Sequence, residues 1–136
     1  MNKNKKIGFT CSCFDLLHAG HIIMLEDAKK QCDYLIVGLQ SNPTIDRPNE
    51  KNKPIQSLEE RKIQLEAVKY IDEIIIYDTE KELYALLQKR MPDIRILGSD
   101  YVNKKFTGKN LNIKIYYNNR NHNFSTSNLR KKIIKN

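Results

Sequence analysis

The chain reads as an α/β protein built on a doubly wound, five-stranded parallel sheet. Three observations predict this. Short, nearly continuous apolar runs recur at Ile7–Cys11, Tyr34–Leu39, Glu73–Tyr77 and Ile94–Leu97, as in strands buried on both faces. Stretches with helical spacing of apolar residues lie between them. Strand, helix and strand follow within about 35 residues, which makes a βαβ unit with a right-handed crossover. At 136 residues the chain forms one domain with a core of its own and is too short for two.

Each element has its own signal. Gly20 to Gln31 reads as a helix, with Ile22, Leu25 and Ala28 on one face. Gln40 to Gln56 is polar and carries Pro43, Pro48 and Pro54, so it is a loop of functional length. Ser57 to Glu60 forms a capping box. The helix it opens is expected to run to about Tyr70, burying Ile63, Ala67 and Val68 with Leu65 near the same face. Thr79 to Glu82 reads as a second capping box, followed by a helix through Leu83, Leu86 and Leu87 that ends before Pro92. Gly98 closes the fourth strand, and Ser99 to Asn110 is a polar loop with a helical turn. Leu111 to Tyr117 alternates as a fifth strand, and Ser125 to Ile134 is a closing helix.

Composition narrows the function. Hydrophobic residues make up 40% and charged residues 29%, as in globular domains, and no run approaches a membrane span. The basic start, Met1 to Lys6, leads straight into a strand, with no apolar segment of a secretory signal. Three cysteines cannot all pair within one chain, which suits a reducing, cytoplasmic setting. The net charge of +8 fits a polyanionic partner. The densest lysines lie at the termini, where solvation is the plainer explanation. No Gly-rich dinucleotide fingerprint or Walker A loop is present, which argues against NAD and P-loop NTPase chemistry.

The chemistry-bearing residues gather at the carboxyl ends of the expected strands, where ligands bind in such sheets. His18 and His21 flank Gly20 where a strand hands over to a helix. A helix N-terminus there attracts anions, and imidazole N–H groups can donate to a phosphate chain. Two other readings compete: the pair could be a capping pair, or Cys11, Cys13, His18 and His21 a cramped zinc site. The cysteine spacing is shorter than zinc sites use. A basic loop, Arg47 to Lys53, precedes Arg61 and could offset charge on a phosphate. Gly98-Ser99-Asp100 ends the fourth strand, where glycine admits close backbone approach. Ser125-Thr126-Ser127 offers three hydroxyls at a helix start that needs one, and Arg120 can fork two phosphate oxygens.

Phe14-Asp15-Leu16-Leu17-His18-Ala19-Gly20-His21 resembles the HxGH signature of the cytidylyltransferase-like nucleotidyltransferases, and its longer form is most like glycerol-3-phosphate cytidylyltransferase. The Arg120–Ser127 segment is similar to that family's Arg-x-x-x-x-Ser-[ST]-[ST]. Arg47–Tyr77 and Pro92–Tyr101 also look like the heptose-phosphate adenylyltransferases. The resemblance implies a Rossmann-like nucleotidyltransferase fold. It implies transfer of CMP from CTP to a small phosphorylated acceptor, first of all glycerol 3-phosphate, giving CDP-glycerol and pyrophosphate. The alternatives are an ATP-dependent sugar-phosphate adenylyltransferase and a binding module without catalysis. His18, His21, Lys53 and Arg120 are implied as catalytic. Ser12, Cys13, Phe14, Arg61, Gly98, Asp100, Ser125, Thr126 and Ser127 would bind the nucleotide, although Ser12 stands where many relatives have Gly. Asp15 and Lys51 would meet the acceptor. His122 has no implied role. Mg²⁺ would arrive on the triphosphate, with no dedicated protein site. A homodimer is implied, and neither nucleic acid nor a membrane is an expected partner.

Overall fold

A computed structural model describes residues 5–119 and 124–135. Five strands form one all-parallel sheet: β1 (Ile7–Ser12), β2 (Tyr34–Gln40), β3 (Glu73–Tyr77), β4 (Ile94–Gly98) and β5 (Lys114–Asn118), in the order β3-β2-β1-β4-β5. Helices α1 (Ala19–Lys30), α2 (Leu58–Glu66) and α3 (Glu80–Arg90) connect them, and α4 (Thr126–Lys135) follows β5. The order reverses beside β1, which pairs with β2 through Ile7↔Tyr34 to Ser12↔Leu39 and with β4 through Gly8↔Ile94. A crevice therefore opens above the carboxyl ends of β1 and β4.

Strand alternation splits the core into two layers. Leu35, Val37 and Leu39 of β2 pack with Leu25 and Ala28 of α1 and Leu65 of α2. Ile36, between them, faces the opposite side with Phe9, Tyr77 and the α3 residues Leu83 and Leu87. This two-sided burial is why β2 reads as a continuous apolar run. Each fully buried Leu or Phe contributes about 1.5–3 kcal/mol.

Three expectations need adjusting. Helix α2 stops at Glu66, capped by Ala67, well short of Tyr70. Its buried residues are Arg61 and Leu65, whereas Ile63 is 59% exposed. At α3 the Thr79 hydroxyl accepts from the Glu82 N–H, but the Glu82 carboxylate accepts from the Asp78 N–H, one residue before the cap. The box expected there is therefore half closed. The fifth strand starts at Lys114 because Leu111 and Ile113 are held in turns, through Gly108 O and Leu111 O. The 40–56 loop contains a 3₁₀ turn at Pro43–Ile45, and a second 3₁₀ turn, Ser99–Tyr101, follows β4.

Candidate active site

The two histidines form the cap of α1. The His18 Nδ1 accepts from the Gly20 N–H at 3.0 Å, and the His21 Nδ1 accepts from the His18 N–H at 3.1 Å. This is a capping box with imidazoles in place of the usual hydroxyl and carboxylate. The rings stack with centroids 3.9 Å apart. An Nδ1 that accepts must be unprotonated, so each neutral ring carries its proton on Nε2. The pKa of His21 is lowered to about 4, first by burial, then by the neighbouring His18, against the opposing pull of Asp15. His21 is thus neutral at physiological pH and its Nε2–H is fixed as a donor. Capping occupies the Nδ1 edge of each ring and leaves the Nε2 edge for a ligand, so the two competing readings of the sequence are compatible.

Gly20 is forced by this packing. A Cβ there would lie 2.8 Å from the His18 Cε1 and 2.9 Å from the Phe124 carbonyl oxygen. The turn before it is tight: Phe14 and Leu16 have φ of 49° and 53°, the left-handed region that non-glycine residues avoid.

Both histidines line a cavity of about 580 Å³ above the sheet. Gly98, Ser99 and Asp100 border it, with Asn118 and Asn119 after β5 and Ser125 and Thr126 at the start of α4. The Ser125 hydroxyl caps α4 through the Asn128 N–H, and the Thr126 hydroxyl donates to the Asp15 carbonyl. Ser127 is exposed and does not border this cavity. Across β1 and β4 a second cavity, of about 630 Å³, is lined by Ser12, Cys13 and Lys51. Met24, Gly98 and Asn118 border both, so the two spaces adjoin at the strand ends.

Three of the other expected ligand-binding residues, Phe14, Arg61 and Asp15, also brace the frame. The Phe14 side chain is 1% exposed, packed in the core and 5.5 Å from the His21 ring centroid. The Arg61 guanidinium is buried and donates to the carbonyls of Cys13, Gln40, Ser41 and Gln56. It clamps the 40–56 loop to the histidine turn. The Asp15 carboxylate accepts from the Ile55 and Gln56 N–H groups and pairs with Arg130 at 3.1 Å. These bonds hold the turn, the basic loop and α4 together, and they occupy both oxygens of the expected acceptor ligand. Lys53 is exposed and borders neither cavity. Arg120 and His122 lie outside the described residues.

Sequence reasoning missed several residues at the site. The Asp27 carboxylate accepts from the Tyr116 hydroxyl and the Asn118 amide on the wall of the first cavity. Asn118 at the end of β5 could have been flagged by position alone. Arg95, within the apolar run of β4, is 3% exposed and borders the second cavity. No group of three or more metal-binding side chains occurs among the described residues.

The family profile described as cytidylyltransferase-like matches residues 9–133. Among curated proteins, the bifunctional protein HldE of Campylobacter jejuni is 38% identical over 130 residues, covering 96% of this chain and 28% of that protein. The protein of the same name from Hyphomonas neptunium is 39% identical over 106 residues, covering 78% of this chain and 22% of that protein. The chain therefore spans under a third of the length of these relatives. Among solved structures, the lipopolysaccharide core biosynthesis protein from Thermoplasma volcanium superposes with a TM-score of 0.72 at 25% identity, covering 88% of this chain and all of that one. Pantoate-beta-alanine ligase from Francisella tularensis, at 23% identity and a TM-score of 0.64, covers 96% of this chain and 67% of that one and shares the fold.

Proposed function

The chain belongs to the cytidylyltransferase-like family, and on that premise we propose that it is an adenylyltransferase that moves AMP from ATP to a sugar phosphate. The observation that carries the reading is the imidazole capping box, which sets two Nε2–H donors on the wall of a cavity where β1, β4 and β5 end. The sequence motif put CTP and glycerol 3-phosphate first. The likeness of Arg47–Tyr77 and Pro92–Tyr101 to heptose-phosphate adenylyltransferases, together with the similarity to the two HldE proteins over 96% and 78% of this chain, favours ATP and a heptose-type phosphate instead.

The triphosphate would occupy the first cavity. An oxygen of the acceptor phosphate attacks the α-phosphorus in line from the side of the second cavity. The bond from the α-phosphorus to the bridging oxygen breaks, and pyrophosphate leaves with the electron pair of that bond. Negative charge grows on the equatorial oxygens of the α-phosphate as the fifth bond forms. His18 and His21 donate there, and preorganised donors aimed at developing charge are the largest usual source of rate enhancement. Arg61 and Asp15 hold the turn that aims them. Ser125 and Thr126, on the wall of the first cavity, would meet the outer phosphates; the family resemblance, not the described structure, adds Arg120 as a further cation. Lys51 borders the acceptor side, and Lys53 would join it only by movement of its loop.

Mg²⁺ would neutralise the triphosphate and the leaving pyrophosphate. Three carboxylates, Glu26, Asp27 and Asp100, border the first cavity, a setting that admits a metal-bound nucleotide better than a bare one. A homodimer is part of the proposal, and sedimentation would test it. Pyrophosphate release tests the function, with ATP, CTP, UTP and GTP each crossed with heptose 1-phosphate, glucose 1-phosphate, glycerol 3-phosphate, ethanolamine phosphate and choline phosphate. ATP with a sugar 1-phosphate should give the highest kcat/KM. CTP with glycerol 3-phosphate as the best pair would restore the cytidylyltransferase reading. Triphosphate binding without turnover on any pair would favour a binding module.

A further inference from the structure

The two adjoining cavities differ in charge. The first carries Glu26, Asp27 and Asp100 against Lys30, beside the His18 and His21 rings. The second carries Arg47, Lys51, Arg95 and Lys105 against Glu80. A net excess of three cations is more than a single phosphomonoester, of charge about −1.5 to −2, would balance.

The two arginines among them are also incompletely satisfied. The Arg95 guanidinium lies over the Phe106 ring, 5.0 Å from its centroid, donates to the Thr107 carbonyl and touches the Cys11 Sγ at 3.9 Å. Its Nε has no partner among the described residues, and neither does the buried Nε of Arg47. Among the described residues no carboxylate forms an ion pair with Arg95. Glu80, the one acid on this wall, is already shared: it accepts from Thr107 at 2.7 Å and Gln40 at 3.2 Å and pairs with Arg47 at 3.6 Å. A buried guanidinium held by one carbonyl, one sulfur and one ring is costly unless an anion completes it.

Register locates this group below the reaction centre. Arg95 pairs with Phe9, two residues before Cys11, while Gly98 marks the junction with the first cavity. The attacking phosphate must sit at that junction, so Arg95 faces the far part of the acceptor.

We infer that the acceptor is an acidic sugar phosphate, carrying beyond its attacking phosphate a second anionic group, a carboxylate or another phosphate, which Arg95 and Arg47 hold at the floor of the second cavity. This rests on the transfer reading for the placement of the attacking phosphate. A guanidinium suits either acid because its fork matches both. Arg95 and Arg47 are then specificity residues.

Matched probes test it. Calorimetry on the whole protein compares glucose 1-phosphate with glucuronic acid 1-phosphate, which adds a carboxylate, and with glucose 1,6-bisphosphate, which adds a phosphate. At least one acidic probe should bind tenfold or more tighter than glucose 1-phosphate. Arg95→Met and, since a buried substitution can impair folding, the half-exposed Arg47→Gln should each shrink that preference at least fivefold while ATP affinity is kept. Equal binding of all three probes, no binding of any, or a preference that survives both substitutions overturns the inference. Pyrophosphate release with the same probes separates the two claims. An acidic preference in binding with no turnover on any acceptor would sink the transfer reading and leave the pocket assignment standing.

Discussion

Replacing Gly20 with Ala should impair catalysis far more than folding. The added Cβ would stand 2.8 Å from the His18 Cε1, 3.0 Å from its Nδ1 and 2.9 Å from the Phe124 carbonyl oxygen. Ordinary contact begins near 3.4 Å, so the neighbours must yield by about half an ångström. The Phe124 oxygen belongs to backbone leading into α4, which the Thr126 and Arg130 contacts to Asp15 hold in place. The His18 ring cannot turn without losing the bond from the Gly20 N–H. Overpacking costs about 1–3 kcal/mol, whereas alanine regains up to about 1 kcal/mol of helix propensity. The net loss is therefore about 1 kcal/mol, a few degrees in Tm. Misplacing a catalytic group by up to an ångström costs about 10²-fold in rate. Circular dichroism melting and pyrophosphate release on the same preparation measure the two effects. A Gly20→Ala protein with turnover within threefold of wild type would refute the reasoning, because the close approach would then have no bearing on the His18 donor.

His18→Ala should lower kcat by about 10²-fold or more and nucleotide affinity much less, and should also lose about 1 kcal/mol of cap. His18→Asn, which keeps a cap acceptor, should regain stability but not turnover in the same assays; recovery of both would remove His18 from the chemistry. The depressed pKa of His21 sets a pH dependence: its neutral form is favoured on folding, so this stability is complete above about pH 6.5 and is lost as pH falls towards 4. The difference is about 3 kcal/mol, read as the excess pH dependence of wild-type urea unfolding over that of His21→Gln; parallel curves would contradict it. Thr126→Ala should weaken ATP binding much more than AMP binding in calorimetry, and equal losses would make the residue only part of the frame.

The strands were legible because parallel-sheet burial leaves contiguous apolar runs, as in Tyr34–Leu39. The buried face of α2 was not. Its deepest side chains include Arg61, whose burial depends on carbonyls from Cys13, Gln40, Ser41 and Gln56, a tertiary arrangement with no local periodicity. Ile63, apolar and helical in spacing, faces outward at 59% exposure. The histidines could be found from spacing alone, but their Nδ1 capping bonds, which decide where the protons sit, required coordinates. Asp15 shows the same limit: its place in the motif suggested a ligand, whereas its oxygens tie together segments 40 and 115 residues away in sequence. Arg95 was hidden because a single cation within Ile94–Leu97 does not break a strand signal. Its importance lies in the cavity wall it shares with Arg47.

Following the phosphorus tests nucleotidyl transfer most directly. ATP labelled either at the α- or at the γ-phosphate is incubated with the protein, Mg²⁺ and the best sugar-phosphate acceptor, and the products are separated. The α label should appear in a nucleoside-diphospho-sugar and the γ label in pyrophosphate, with both transfers lost in His18→Asn. Transfer of the γ label to the acceptor, or release of α-labelled AMP without an acceptor adduct, would contradict the assignment of this site to nucleotidyl transfer.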